Sequence, residues 1–183
     1  MSFAVRRIRA DEWERVRDLR LDAVRDPAAS IAFLHSFEEE STHDDAFWQQ
    51  RAAGAASGEG VAQFIAEADG DWIGTVSVLR HTAGSTDHHG RPVTSSRGDV
   101  VGVFIRQESR GRGIIDALLD AAAEWAASLG DARLTLDVHA DNARAQAAYR
   151  RAGFADTGVR FTASIGPEIE MAREIVDGDR VQA

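Results

Sequence analysis

Arg110-Gly111-Arg112-Gly113 follows an apolar run at residues 99–105 and precedes a helical pattern opening at Ile115. A helix N-terminus offers backbone N–H groups without intrahelical partners and the positive end of the helix dipole. Glycine lets an anion approach closely. The junction reads as an anion site or, equally, as an arginine–glycine turn with no ligand. A dinucleotide fingerprint would need a third glycine where Asp116 stands, and no Gly-Lys-Ser/Thr follows to make a P-loop. What remains is pyrophosphate or something like it.

Downstream, in "LDVHADNARAQAAYRRAGF", Asn142 and Tyr149 lie seven residues apart, about two helical turns, and so share one face. Ala145 between them leaves room beside the helix. Tyr149 is the chain's only tyrosine; its phenol suits proton transfer, or equally an ordinary core position with a satisfied hydroxyl. His81, His88 and His89 raise the question of a metal. The loop that holds them has no carboxylate or thiol at ligand spacing, so the expectation is a solvated loop and no metal.

Local patterns suggest the elements that position these groups. Residues 3–8 read as a strand, and Asp11 opens a helix with Trp13, Val16, Leu19 and Val24 on its apolar stripe, stopped before Pro27. A second helix begins near residues 42–45, with Phe47 and Trp48 on its apolar face. Residues 61–80 form a hairpin turning at Asp69-Gly70-Asp71, followed by a long, mobile loop over 81–98. Then come a strand at 99–105, a helix ending at Gly130, a strand at 133–138 and a helix over 142–151 capped by Gly153. An antiparallel pair closes the chain, with a frayed tail after Asp177. The order indicates a mixed α/β domain around one sheet. Trp13, Trp48, Trp72 and Trp125 are read as core or rim packing.

At 183 residues the chain is long enough for one domain with a sizeable core. Without cysteine there is no disulfide, thiolate metal site or cysteine nucleophile. A net charge of −9 disfavours nucleic acid and mildly favours cationic substrates. No apolar signal segment or membrane span is evident, so a cytoplasmic protein is expected.

Together, Arg110-Gly111-Arg112-Gly113 and Asn142-x-x-Ala145-x-x-x-Tyr149-x-x-x-Gly153-Phe154, about thirty residues later, resemble the GNAT family of acetyl-CoA-dependent N-acetyltransferases. The likeness is good over residues 61–161 and looser before them. It implies a single α/β (α+β) domain, with core motifs at 99–154 and an acceptor-side part at 10–60. Its mixed, mostly antiparallel sheet would have about seven strands, flanked by about four helices. By resemblance, acetyl-CoA is the co-substrate, and no metal is called for. The acceptor is an amine, most simply on a small molecule, and a homodimer is possible. A non-catalytic acyl-CoA-binding or regulatory domain, or a protein N-terminal or lysine acetyltransferase, stands as the alternative.

The resemblance also assigns roles. The N–H groups of Arg110, Gly111, Arg112, Gly113, Ile114 and Ile115 would hold the coenzyme pyrophosphate, with the Arg112 side chain adding charge. Ile115 occupies a position where the family has Gly or Ala, so its side chain should turn to the core. The strand through Val103, Phe104 and Ile105 would pair with the pantetheine arm, the Phe104 N–H facing the thioester carbonyl. Asn142 and Ala145 would flank the cofactor, and Tyr149 would protonate the departing thiolate. An amine of pKa ~10.4 needs roughly 4–5 kcal/mol to reach its neutral form at pH 7, so a base is required. Asp99, Glu39, Glu40 and His139 are the candidates.

Overall fold

The computed structural model describes residues 2–175, and the tail expected after Asp177 lies outside the described residues. Seven strands form one sheet in the order β1-β2-β3-β4-β5-β7-β6. They are β1 (Ala4–Arg7), β2 (Val61–Ala68), β3 (Asp71–His81), β4 (Arg97–Ile105), β5 (Arg133–His139), β6 (Ala155–Ala163) and β7 (Gly166–Glu174). Every neighbouring pair is antiparallel except β4 with β5. Five α-helices accompany the sheet: α1 (Trp13–Ala23), α2 (Phe37–Glu40), α3 (Asp45–Ser57), α4 (Ile114–Ser128) and α5 (Ala143–Arg151). The extra helix beyond the expected four is the single turn α2. Its Ser36-x-x-Glu39 start is a capping box that the sequence displays openly.

Alternation along the strands divides the core in two. Phe64, Ala66, Val76, Val78 and Val100 face α4, which buries Ile114, Leu118, Leu119, Ala122 and Ala126 against them. Ile65, Trp72 and Phe104 point to the other face and meet α1 and α3 through Val16, Leu19, Trp48 and Ala52. Each fully buried leucine of α4 contributes about 1.5–3 kcal/mol of apolar burial. Trp13 and Trp125 lie at the rim, beneath the guanidinium groups of Arg17 and Arg7. Gly130 and Gly153 follow α4 and α5 with φ of +82° and +88°, as their stop positions require. Among the described residues, no helix is long and apolar enough to cross a membrane.

The β4–β5 seam opens partway along. Parallel pairing holds only at Gly98–Val100 with Leu134–Leu136. Beyond it, β4 bulges: the register shifts opposite Thr75–Ser77, where Gly102 takes a φ of +63°. From Val101 to Ile105 the edge of β4 facing β5 has no strand partner, and a wedge opens between the two strands.

Candidate active site

The wedge is the mouth of a cleft of about 720 Å³. One wall is β4 from Val100 to Ile105 with the turn into α4. The opposite wall is the end of β5 with α5, and Glu168 of β7 reaches its floor. Gly111 and Gly113 run at φ of +76° and +75°, and Gly113 is the N-cap of α4. Only this left-handed path turns the chain from the strand end onto the helix axis. A Cβ at either glycine would meet nothing within 4 Å, so the constraint is torsional rather than steric. Gly111→Ala or Gly113→Ala should therefore fold but strain the turn by about 1–2 kcal/mol. Titration calorimetry should show coenzyme A affinity falling roughly tenfold for either variant; unchanged affinity would detach the turn from anion binding.

Arg110 anchors this turn through its side chain. It pairs with the Asp26 carboxylate and donates from Nε to the Ile105 carbonyl at 2.9 Å. Arg112 stands exposed on the turn and does not border the cleft. Ile114 is buried in the α4 core. Ile115 packs on that core and is also among the residues that border the cleft.

The strand register corrects the expectation for Phe104. Arg106 donates its N–H to Ile73 and Phe104 lies opposite Thr75, so antiparallel alternation turns the Phe104 N–H towards β3. The backbone groups of Ile105 face the other way, as its carbonyl bond to Arg110 shows. The N–H groups offered to the wedge are those of Ile105 and, one step back in the alternation, Val103.

On the opposite wall, Asn142 is the N-cap of α5. Its Oδ1 accepts from the Ala145 N–H at 3.1 Å, while Nδ2 donates to the Ile31 carbonyl at 3.4 Å. It borders the cleft and at the same time ties it to the segment after α1. Tyr149, two turns on, is 8% exposed and lines the same cleft. Burial pushes its phenol well above the usual range, and the charge of Glu168 adds to the effect.

Three of the expected bases stand elsewhere or are already engaged, and a fourth is occupied. Glu39 bends back to the N–H of its own N-cap Ser36 at 2.7 Å, completing the capping box on an exposed turn. Glu40 is 1% exposed and held by Arg20 at 2.6 and 2.8 Å. Burial would raise its carboxyl, but Arg20 more than offsets this and holds it low. Neither residue borders the cleft. Asp99 is buried behind the wedge, its Oδ1 bound by Arg97 Nε at 2.9 Å and by the Thr135 hydroxyl. His139 accepts the Asp141 N–H at Nδ1 and faces the Ile165 carbonyl with Nε2 at 3.1 Å, so both ring nitrogens are committed.

The carboxylates that border the cleft are Asp26, Asp116, Asp137, Asp141 and Glu168; Asp137 on β5 and Glu168 on β7 are the two carried by the sheet itself. Arg91 grips Asp137 through two bonds of 2.7 and 3.3 Å. Among the described residues no side chain hydrogen-bonds Glu168. Burial raises its carboxyl, Asp137 raises it further, and His139 and Arg91 act the other way. A carboxyl with a raised pKa and a buried phenol therefore border one cleft at the open end of a strand seam.

The model of the Acetyltransferase (GNAT) family matches residues 13–154. The chain belongs to the GNAT family. An aminoglycoside N(6')-acetyltransferase type 1 of Stenotrophomonas maltophilia is 31% identical over 103 residues, which cover 56% of this chain and 64% of that enzyme. The GNAT chain thus spans less than two thirds of that relative's length. A nourseothricin acetyltransferase structure is 30% identical with a TM-score of 0.51, covering 64% of this chain and 66% of its own. For the fold alone, the PaiA N-acetyltransferase of Thermoplasma acidophilum, solved with coenzyme A, superposes with a TM-score of 0.72 at 16% identity. That match covers 95% of this chain and 99% of the other.

Proposed function

We propose that this GNAT chain moves the acetyl group of acetyl-CoA directly onto a primary amine of a cationic small molecule. The observation that carries the reading is the splayed β4–β5 seam, with a glycine turn on one wall and Tyr149 and Glu168 across from it. The N–H groups from Arg110 to Ile115 suit a pyrophosphate, and the unpaired edge of β4 suits an amide-bearing arm laid alongside it as a further strand. When bound, acetyl-CoA supplies an activated thioester.

The chain's own residues then do three things. An Ile105 or Val103 N–H polarises the acyl carbonyl. Glu168 takes the proton of the incoming ammonium, a step its raised pKa favours over that of an ordinary carboxylate. Tyr149 gives a proton to the leaving thiolate and regains one from the nitrogen as the amide forms, so the second amine proton ends on sulfur. The lack of cysteine fits transfer without a cysteine acyl-enzyme. Support for a cationic acceptor comes from Asp137 and Glu168 at the cleft, from the net charge of −9, and from the substrates named for the two relatives at 30–31% identity.

The test is thiol release from acetyl-CoA against a panel of aminoglycosides, nourseothricin, polyamines and peptide amines. Release with the cationic small molecules supports the reading. Release with peptides alone would make the chain a protein acetyltransferase. Coenzyme binding with no release for any amine would make it a binding module.

A further inference from the structure

The loop over residues 82–96 carries His88 and His89, and its path sets them beside His81 at the end of β3, with His88 still exposed. Its turn is built on Asp87, 5% exposed, which accepts the N–H groups of His89 and Arg91 at 3.0 and 2.9 Å. The other Asp87 oxygen binds Arg91 at 2.7 Å and Arg97 of β4 at 3.0 Å. This buried carboxylate fixes where His88 points. The carboxylates missing from the loop at ligand spacing arrive across space, from β4 and β5.

His81 closes β3, and the register sets it opposite Arg97, two residues from Asp99, so positions 81 and 99 share a face. His81 Nε2 lies 3.3 Å from Asp99 Oδ2, and His88 Nδ1 lies 3.7 Å from the same oxygen. The three ligand atoms are all within 4.8 Å of one another. Asp99 is 3% exposed; its Oδ1 is taken by Arg97 and Thr135, while its Oδ2 and the facing His81 Nε2 are buried atoms with no hydrogen-bond partner. Two buried polar atoms 3.3 Å apart without an aligned hydrogen bond between them are costly.

We propose that His81, His88 and Asp99 bind a divalent transition metal ion of the Zn²⁺ type, with water as the fourth ligand. Bond lengths of ~2.0–2.2 Å imply ligand–ligand edges of about 3.3–3.6 Å in a tetrahedron, which the two measured separations bracket closely. Two imidazoles and one carboxylate are a zinc donor set. Arg97 and Thr135 hold the carboxylate in place as an outer shell. A second triad, His88, His89 and Asp137, is less suited because Arg91 occupies both Asp137 oxygens. The ion would clamp the loop to β3 and β4. His89, the next residue, stands 3.5 Å from Asp137 at the cleft wall, so the clamp braces that wall.

Tag-free protein stripped with chelator and titrated calorimetrically with Zn²⁺ tests this independently of any acetyl transfer. One equivalent should bind, and Co²⁺ should give the visible spectrum of a four-coordinate ion. His88→Gln changes a loop side chain and should leave the melting temperature of the metal-free protein unchanged while weakening Zn²⁺ by at least about 100-fold. Thr135→Val should weaken it by about 10–100-fold through loss of the outer-shell bond. Absence of stoichiometric binding in the wild type, or unchanged Zn²⁺ affinity in a folded His88→Gln protein, would overturn the site.

Discussion

Replacing Tyr149 with Phe should lower kcat by about 10²–10⁴-fold, the range for loss of a positioned general acid, while the dissociation constant of coenzyme A stays within about twofold. The ring is buried among α4 and β5 side chains and packs near Phe154, so losing one oxygen leaves the apolar contacts intact. The phenol's raised pKa keeps it protonated at any physiological pH, ready to donate. A thiolate leaving into the same dry cleft has its proton affinity raised from ~8.5 by the same desolvation, which keeps the transfer near balance. Steady-state kinetics with a saturating amine, paired with coenzyme titration, separates the two parameters. Equal loss in kcat and affinity would make Tyr149 a packing residue.

Glu168→Gln should reduce kcat/KM by about 10²-fold or more at pH 7 and should also raise the melting temperature there. The second effect follows from the direction of its pKa. The groups facing it are Asp137 and His139 of β5, Arg91 of the loop and Tyr149 of α5, and burial dominates them all. A carboxyl raised in the folded state favours the proton-bound form. Its contribution to stability is therefore complete below the unfolded value of ~4.3 and lost as pH rises through the folded value. At pH 7, above the unfolded value, the wild type bears the free-energy cost of that upward shift, which glutamine does not carry. The melting-temperature advantage of the variant should fade on acidification below about pH 4. Melting curves across pH, beside the kinetics, read both. A variant less stable at pH 7 with full activity would remove Glu168 from the mechanism.

The proposed site residues legible in the sequence are those whose signals are local. Two glycines at a strand–helix junction, and an asparagine and a tyrosine two turns apart, can be read within twenty residues. Asp137 and Glu168 were missed because their place at the cleft depends on β7 being inserted beside β5, ahead of β6, and no local pattern encodes that order. A usable hint existed in "EIEM": alternation puts Glu168 and Glu170 on one face, and both prove buried. The surroundings of the loop histidines were illegible for a similar reason. Polar composition over 82–96 suggested solvent, whereas Asp87, Arg91 and Arg97 form a buried network whose partners lie on other strands. Glu39 failed for the opposite reason: the capping-box spacing that spends its carboxylate is plain in Ser36-x-x-Glu39, and it outweighs an assigned role in catalysis.

The central claim is geometric: the splayed β4–β5 seam receives the pantetheine arm and brings the thioester sulfur to Tyr149. A crystal structure with acetyl-CoA tests it most directly. The account predicts the pyrophosphate on the N–H groups between Arg110 and Ile115, the arm paired with β4 through Val103 and Ile105, and the sulfur within hydrogen-bond reach of the Tyr149 hydroxyl. A coenzyme seated outside the seam, or a sulfur turned away from Tyr149 and Glu168, would contradict it.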